Sequence, residues 1–93
     1  MDRINELRKK VTELDKQLLD ILNQRGHVVQ QIGDEKNKLK LNIHNQIREE
    51  EVIKQLESLN CGPCNSQMIE EIYKVIFKVS KELQKQRIKR NLS

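Results

Sequence analysis

A chain of 93 residues makes one domain at most, and one Phe, one Tyr and no Trp in 35% hydrophobic residues give a monomer only a thin core, for which a second copy is the natural remedy. The net charge of +4 comes from acidic and basic residues interspersed along the chain, not from the dense basic stripe of a general phosphate binder. The one basic run, Lys85, Arg87, Lys89 and Arg90, reads as a solvated helix end or a linker. No segment has the pattern of a secretory signal or the length of a membrane span, so cytoplasm is the expected compartment, with neither membrane nor nucleic acid as partner.

The fold expected is all-α, with three helices in one domain over 1–93. Lys, Glu, Gln, Leu and Ile dominate, and no stretch alternates long enough to form a strand. The first helix is expected over 2–39. Ile4, Leu7, Val11, Leu14, Leu18, Ile21, Val28 and Ile32 recur at three- and four-residue spacing, with Asp2 as the cap. Gly26 and Gly33 each cost about 1 kcal/mol against Ala, but the apolar phase does not slip across either. Such a helix is about 54 Å long, whereas a compact domain of this size is about 25–30 Å across. Something outside the chain must cover one end, and an intertwined homodimeric bundle is the simplest answer.

After a loop at 40–44, a second helix is expected over 45–59, with Ile47, Ile53, Leu56 and Leu59 apolar. Asn60-Cys61-Gly62-Pro63-Cys64-Asn65 then breaks the chain. The third helix is expected over 66–88, capped by Ser66, with Glu70 and Glu71 in its first turns and Ile69, Ile72, Ile76, Val79 and Leu83 as its apolar seam.

Some polar residues fall where apolar ones belong. Arg25 continues the first-helix seam, and a buried cation is costly unless paired. Three readings stand: a frayed seam, pairing with a glutamate of another helix, or binding of an anion. Lys36 follows eleven residues later, about three turns, so it shares that face about 16 Å away. Together they can bracket a small dicarboxylate, unless Lys36 simply faces solvent. Arg8 lies about 42 Å from Lys36 along the helix and reaches the same ligand only from another chain. Glu49 is in register with Ile53 and Leu56 and tends inward, flanked by Arg48. Ser80 and Gln84 are an i, i+4 pair beside the third seam, lining a polar cavity or the edge of the core.

Cys61-Gly62-Pro63-Cys64 has the spacing of a redox motif, but lies between helices instead of between a strand and a helix, and reads as a turn with two incidental thiols. Two cysteines are too few for zinc, and His27 and His44 read as isolated surface residues. No metal is expected.

Leu7-Arg8-Lys9-Lys10 through Leu14-Asp15, Leu18-Leu19, Asn23-Gln24-Arg25, Val29, Ile32-Gly33 and Lys36 resemble the long first helix of the AroQ-class (type II, all-helical) chorismate mutases. Ile47-Arg48-Glu49-Glu50 resembles the start of that family's second helix, and Ile76-Phe77 through Ser80 and Leu83-Gln84 its third. The resemblance covers nearly the whole chain and looks closest to mutase domains fused to DAHP synthase in Gram-positive bacteria. It implies an interlaced homodimer with two sites, conversion of chorismate to prephenate in Phe and Tyr biosynthesis, and no cofactor. It implies that Arg8 reaches a substrate carboxylate from the partner subunit. Arg25 would bind a carboxylate, and Lys36 a carboxylate and the ether oxygen. Gln84 would donate to that oxygen, Arg48 would support the site, Glu49 would accept from the substrate hydroxyl, and Ser80 would contact the ring carboxylate. Asn45 falls where many members have Asp for that hydroxyl; it keeps an acceptor and loses the charge. Two other readings accompany this one: a domain that senses prephenate or chorismate for a DAHP synthase, fused or separate, and an isochorismate pyruvate lyase.

Overall fold

The computed structural model describes residues 2–92, with side chains through Arg90. Three helices account for most of it: α1 (Asp2–Lys38), α2 (Gln46–Leu59) and α3 (Ser66–Leu92). Among the described residues there is no strand.

Helix ends are set by local chemistry, and several differ from the sequence-based expectation. α1 stops at Lys38 because Lys40 takes the left-handed conformation (φ 56°), letting Leu41 N–H donate to Lys36 O at 2.8 Å and Lys40 N–H to Asn37 O at 3.2 Å. This double closure satisfies carbonyls that the last turn would otherwise leave free. Asp2 is inside the first turn, where its charge meets the positive end of the dipole. Asn45, expected as the first residue of the second helix, instead caps it, its Oδ1 accepting from Arg48 N–H at 3.0 Å. The cap of α3 is Asn65, not Ser66: Asn65 Oδ1 accepts from Met68 N–H at 2.9 Å. Glu70 and Glu71 therefore lie beyond its first turn. α3 runs past the expected residue 88 to Leu92, since no Gly or Pro follows Pro63 and Lys89 and Arg90 favour the negative end of the dipole.

α3 packs along the C-terminal half of α1, and α2 packs on α3. Two glycines let α1 and α3 approach. A Cβ on Gly33 would lie 3.1 Å from Gln84 Cα, and one on Gly26 would lie 3.2 Å from Leu83 Cδ1. The small core centres on Val29 and Phe77, with Tyr73 edge-on to Phe77 at 5.7 Å between centroids. Ser80 and Gln84 are as buried as these apolar residues.

The apolar seam of α3 differs from the expected one. Ile69, Ile76 and Leu83 are half-buried, but Ile72 and Val79 are exposed, together with Val75. The stripe that turns inward is Tyr73, Phe77, Ser80 and Gln84. α3 thus carries two apolar faces, and the simple heptad reading merged them. On α1, Ile4, Leu7, Val11, Leu14, Leu18 and Ile21 are all exposed, Leu14 by 62%.

The resulting shape is long and thin. The radius of gyration is 16.7 Å, against about 12 Å for a compact chain of this length. The accessible surface is 8036 Å², whereas a compact monomer of this mass exposes about 5,700 Å².

Candidate active site

The three helices enclose a cavity of about 330 Å³ beside the C-terminal half of α1. Arg25 and Lys36 enter from α1, Asn45 from the loop before α2, Arg48 and Glu49 from α2, and Ser80 and Gln84 from α3. Val29, Ile32, Ile43, Val52 and Phe77 supply apolar walls. The structure thus brings together every sequence-derived site residue except Arg8, which lies on the exposed N-terminal half of α1, about 42 Å along the helix from Lys36.

The local folding explains the convergence. Arg25 and Lys36 share a face because eleven residues complete almost three turns of an unbroken helix. Arg25 Nη1 donates to Ser80 Oγ, and Ser80 Oγ donates to Ile76 O at 2.8 Å, so the guanidinium is steered by a hydroxyl anchored to its own helix. At this seam position Arg25 meets a hydroxyl in a cavity and pairs with no glutamate among the described residues. Lys36 Nζ donates to Ile43 O at 2.7 Å and is part-buried, not solvated. Gln84 is 6% exposed, and its Oε1, an acceptor, is buried with no hydrogen-bond partner among the described residues. Arg48 is exposed at the rim, pairing with Glu51 at 3.4 Å.

One charged lining residue was missed. Lys81 enters the same cavity, and its Nζ lies 3.1 Å from Glu49 Oε2 and 3.1 Å from His44 Nδ1. Its only sequence signal is its place one turn after Phe77 and next to Ser80, which any surface lysine can share. His44, expected to be isolated, belongs to this cluster, with Nδ1 3.5 Å from Glu49 Oε2.

Two larger hollows adjoin this cavity, one sharing Arg25 and Ser80 with it, the other Glu49, Phe77 and Lys81. One, about 460 Å³, is a mainly apolar groove between α1 and α3 involving Leu19, Leu22, Val75 and Val79, continuous with the exposed stripe. The other, about 550 Å³, is an open groove between α2 and α3 beside Glu57 and Glu70. The second gathers Lys54, Lys74 and Lys81 as well, but offsets them with Glu49, Glu50, Glu57 and Glu70, whereas the smaller cavity sets four cations against Glu49 alone. Burial, then the hydrogen bond and charge of Glu70, push the Glu57 carboxyl above its ordinary range. Cys61 and Cys64 are free thiols outside the cavity lining, and no cluster of three or more His, Cys, Asp or Glu suited to a metal occurs among the described residues. No helix among them is long and apolar enough to cross a membrane.

Fold and cavity define an all-helical protein with cations and neutral polar side chains around one small cavity. The chain belongs to the type II chorismate mutase family, a family of isomerases, whose model, Chorismate mutase type II, matches residues 7–85. It is 32% identical over 89 residues to the bifunctional chorismate mutase/prephenate dehydratase of Aquifex aeolicus, covering 91% of this chain and 25% of that protein. The chain thus spans a quarter of that bifunctional relative. It is 25% identical over 91 residues to the chorismate mutase of Methanocaldococcus jannaschii, covering 92% and 88% of the two chains. Among solved structures, the Helicobacter pylori chorismate mutase in complex with prephenate superposes with a TM-score of 0.90 at 26% identity, covering 96% of this chain and 97% of that one. The Thermus thermophilus chorismate mutase superposes at 0.86 with 37% identity, covering 89% and 94%.

Proposed function

We propose that this chain rearranges chorismate to prephenate, in a homodimer whose two sites each take Arg8 from the partner subunit. The observation that carries this reading is the convergence of Arg25, Lys36, Ser80, Glu49 and Gln84 on one small cavity.

The reaction is internal to one molecule: an ether C–O bond breaks while a C–C bond forms, and no proton, electron or group leaves. Catalysis then needs two things. The reactive folded conformer must be held, and the negative charge growing on the ether oxygen must be stabilised. Arg25, oriented by Ser80, fixes one carboxylate. Lys36 serves a carboxylate and the ether oxygen by leaving the Ile43 carbonyl or sharing itself with it. Gln84 donates to the same oxygen from a buried amide, where a preformed dipole acts with little solvent screening. Glu49 accepts from the substrate hydroxyl and Arg48 supports the rim. Asn45 spends its Oδ1 on the α2 cap, so its contribution at the hydroxyl is shared with that structural task.

The dimer is supported by the long, thin shape, by surface far in excess of a compact monomer, and by the apolar stripe from Ile4 to Ile21. Obligate homodimers bury about 2,000–5,000 Å² in total, an amount these faces can supply. A second copy that covers the stripe also brings its own Arg8 toward the cavity. The cytoplasm is the compartment in this reading. A DAHP synthase as fused or separate partner rests on sequence resemblance alone, whereas the Aquifex relative pairs its mutase with a prephenate dehydratase.

The test is loss of chorismate with the product identified by NMR. Prephenate as the sole product supports the proposal. Tight prephenate binding without turnover would make the chain a sensor instead, and cleavage of isochorismate to salicylate and pyruvate would make it a lyase.

A further inference from the structure

Among the described residues, Glu49 is the single carboxylate lining a cavity that also holds Arg25, Lys36, Arg48 and Lys81. In so cationic a space, a free carboxylate would be drawn onto the residues that the substrate's own carboxylates need. An internal ion pair of that kind competes directly with a dianionic ligand. Glu49 makes no such pair. Arg25 is bonded to Ser80, Lys36 to Ile43 O and Arg48 to Glu51, while Glu49 turns the other way, to α3.

Lys81 is what holds it there. Its Nζ reaches Glu49 Oε2 at 3.1 Å, with side chains only 28% and 22% exposed, so the pair is less screened than the surface pairs of this chain. His44 Nδ1 lies within 3.1 Å of the same ammonium and anchors it from the loop before α2. One carboxylate oxygen is thereby taken. The side chain itself lines the cavity, so the carboxylate also borders the space a ligand would fill.

We propose that Lys81 is a positioning residue that holds Glu49 on the α3 side of the cavity, presenting its carboxylate to the substrate hydroxyl and keeping it off Arg25 and Lys36. The inference rests on the chorismate reading above and adds to it a residue outside the set carried over by resemblance. Because Glu49 would contact the hydroxyl in ground and transition states alike, the loss of Lys81 is expected in KM more than in kcat.

The experiment compares the full chain with Lys81→Met, Lys81→Arg, Glu49→Gln and the Lys81→Met/Glu49→Gln double variant, using chorismate as the probe. Lys81→Met is expected to raise KM about tenfold, the value of one charge-assisted hydrogen bond, with kcat within about threefold. Lys81→Arg should recover most of the loss. In the Glu49→Gln background, Lys81→Met should change KM by less than about twofold, because both substitutions break the same link. Unchanged helix content and thermal midpoint accompany these results. An unaltered KM in Lys81→Met, a loss confined to kcat, or a full effect persisting in the Glu49→Gln background would each overturn the proposal. Absence of turnover in the unsubstituted chain would overturn the chorismate reading itself, and is distinguished because no variant is needed to see it.

Discussion

Gly33 and Gln84 touch backbone to backbone across the α1–α3 crossing: a Cβ on Gly33 would stand 3.1 Å from Cα, Cβ and Cγ of Gln84. One of those atoms is main chain, so a methyl group there cannot be accommodated by a rotamer change. The glycine sets the depth at which the Gln84 amide enters the cavity. Gly33→Ala is expected to cost at least about tenfold in kcat, with overpacking of about 1–3 kcal/mol offset by about 1 kcal/mol of helix propensity. Gly26→Ala is the control. It meets only the tip of Leu83, at 3.2 Å, and should stay within about 1 kcal/mol of the parent stability with activity nearly intact. Turnover and thermal melts of the two variants check this; equal behaviour at both positions would refute it.

Arg25→Ala and Lys36→Ala should each lower kcat/KM by about 10²–10³, the usual loss for one fixed charge or donor at the reacting centre. Neither side chain is part of the apolar core, so circular dichroism should keep its helical signal. Near-normal turnover in both would remove the site assignment.

Much of this was legible in the sequence, for reasons specific to certain residues. The unbroken apolar phase from Ile4 to Ile32 pointed to the length of α1, found as Asp2–Lys38, and from that length a covering partner was expected. Arg25 stood out because a cation on a seam is expensive, and Lys36 because eleven residues bring it to the same face. Other features were illegible. Gly33 looked like a cost to one helix, since the helix it admits lies far along the chain. Lys81 carries no pattern of its own; its meaning comes from Glu49 and His44, which only tertiary packing brings near. Asn45 and Asn65 were read one position off because Asn can cap or continue a helix, and side-chain geometry decides. The two faces of α3 merged because Ile72 and Val79 are as apolar as Tyr73 and Phe77, although they face outward.

Gln84 is neutral, so the parent enzyme does not depend on protonating this side chain. Gln84→Glu reverses that. The acid donates to the ether oxygen only while protonated, so its activity should rise as the pH falls below neutrality, whereas the parent profile stays flat there. Rate profiles across this range for both proteins provide the check; a flat profile for the variant would remove Gln84 from the ether oxygen.

Glu57 gives a prediction for stability instead of activity. Its carboxyl is raised by burial first, then by the hydrogen bond and charge of Glu70. A raised acid binds its proton more tightly when folded than when unfolded. Its contribution is therefore present below the unfolded value and lost as the pH rises through the folded one. Glu57→Gln mimics the protonated form, so it should melt higher than the parent near neutrality, with the gap closing below about pH 4. Thermal midpoints at the two pH values decide the matter.

The central claim is that one cavity, completed by a second chain, rearranges chorismate. It is tested most directly by mixing two inactive variants, Arg8→Ala and Lys36→Ala, after unfolding and refolding them together. A hybrid dimer rebuilds one intact site from the two chains. An equal mixture should therefore recover about a quarter of the parent rate of prephenate formation. A mixture as inactive as its components, with dimers formed, would contradict the account.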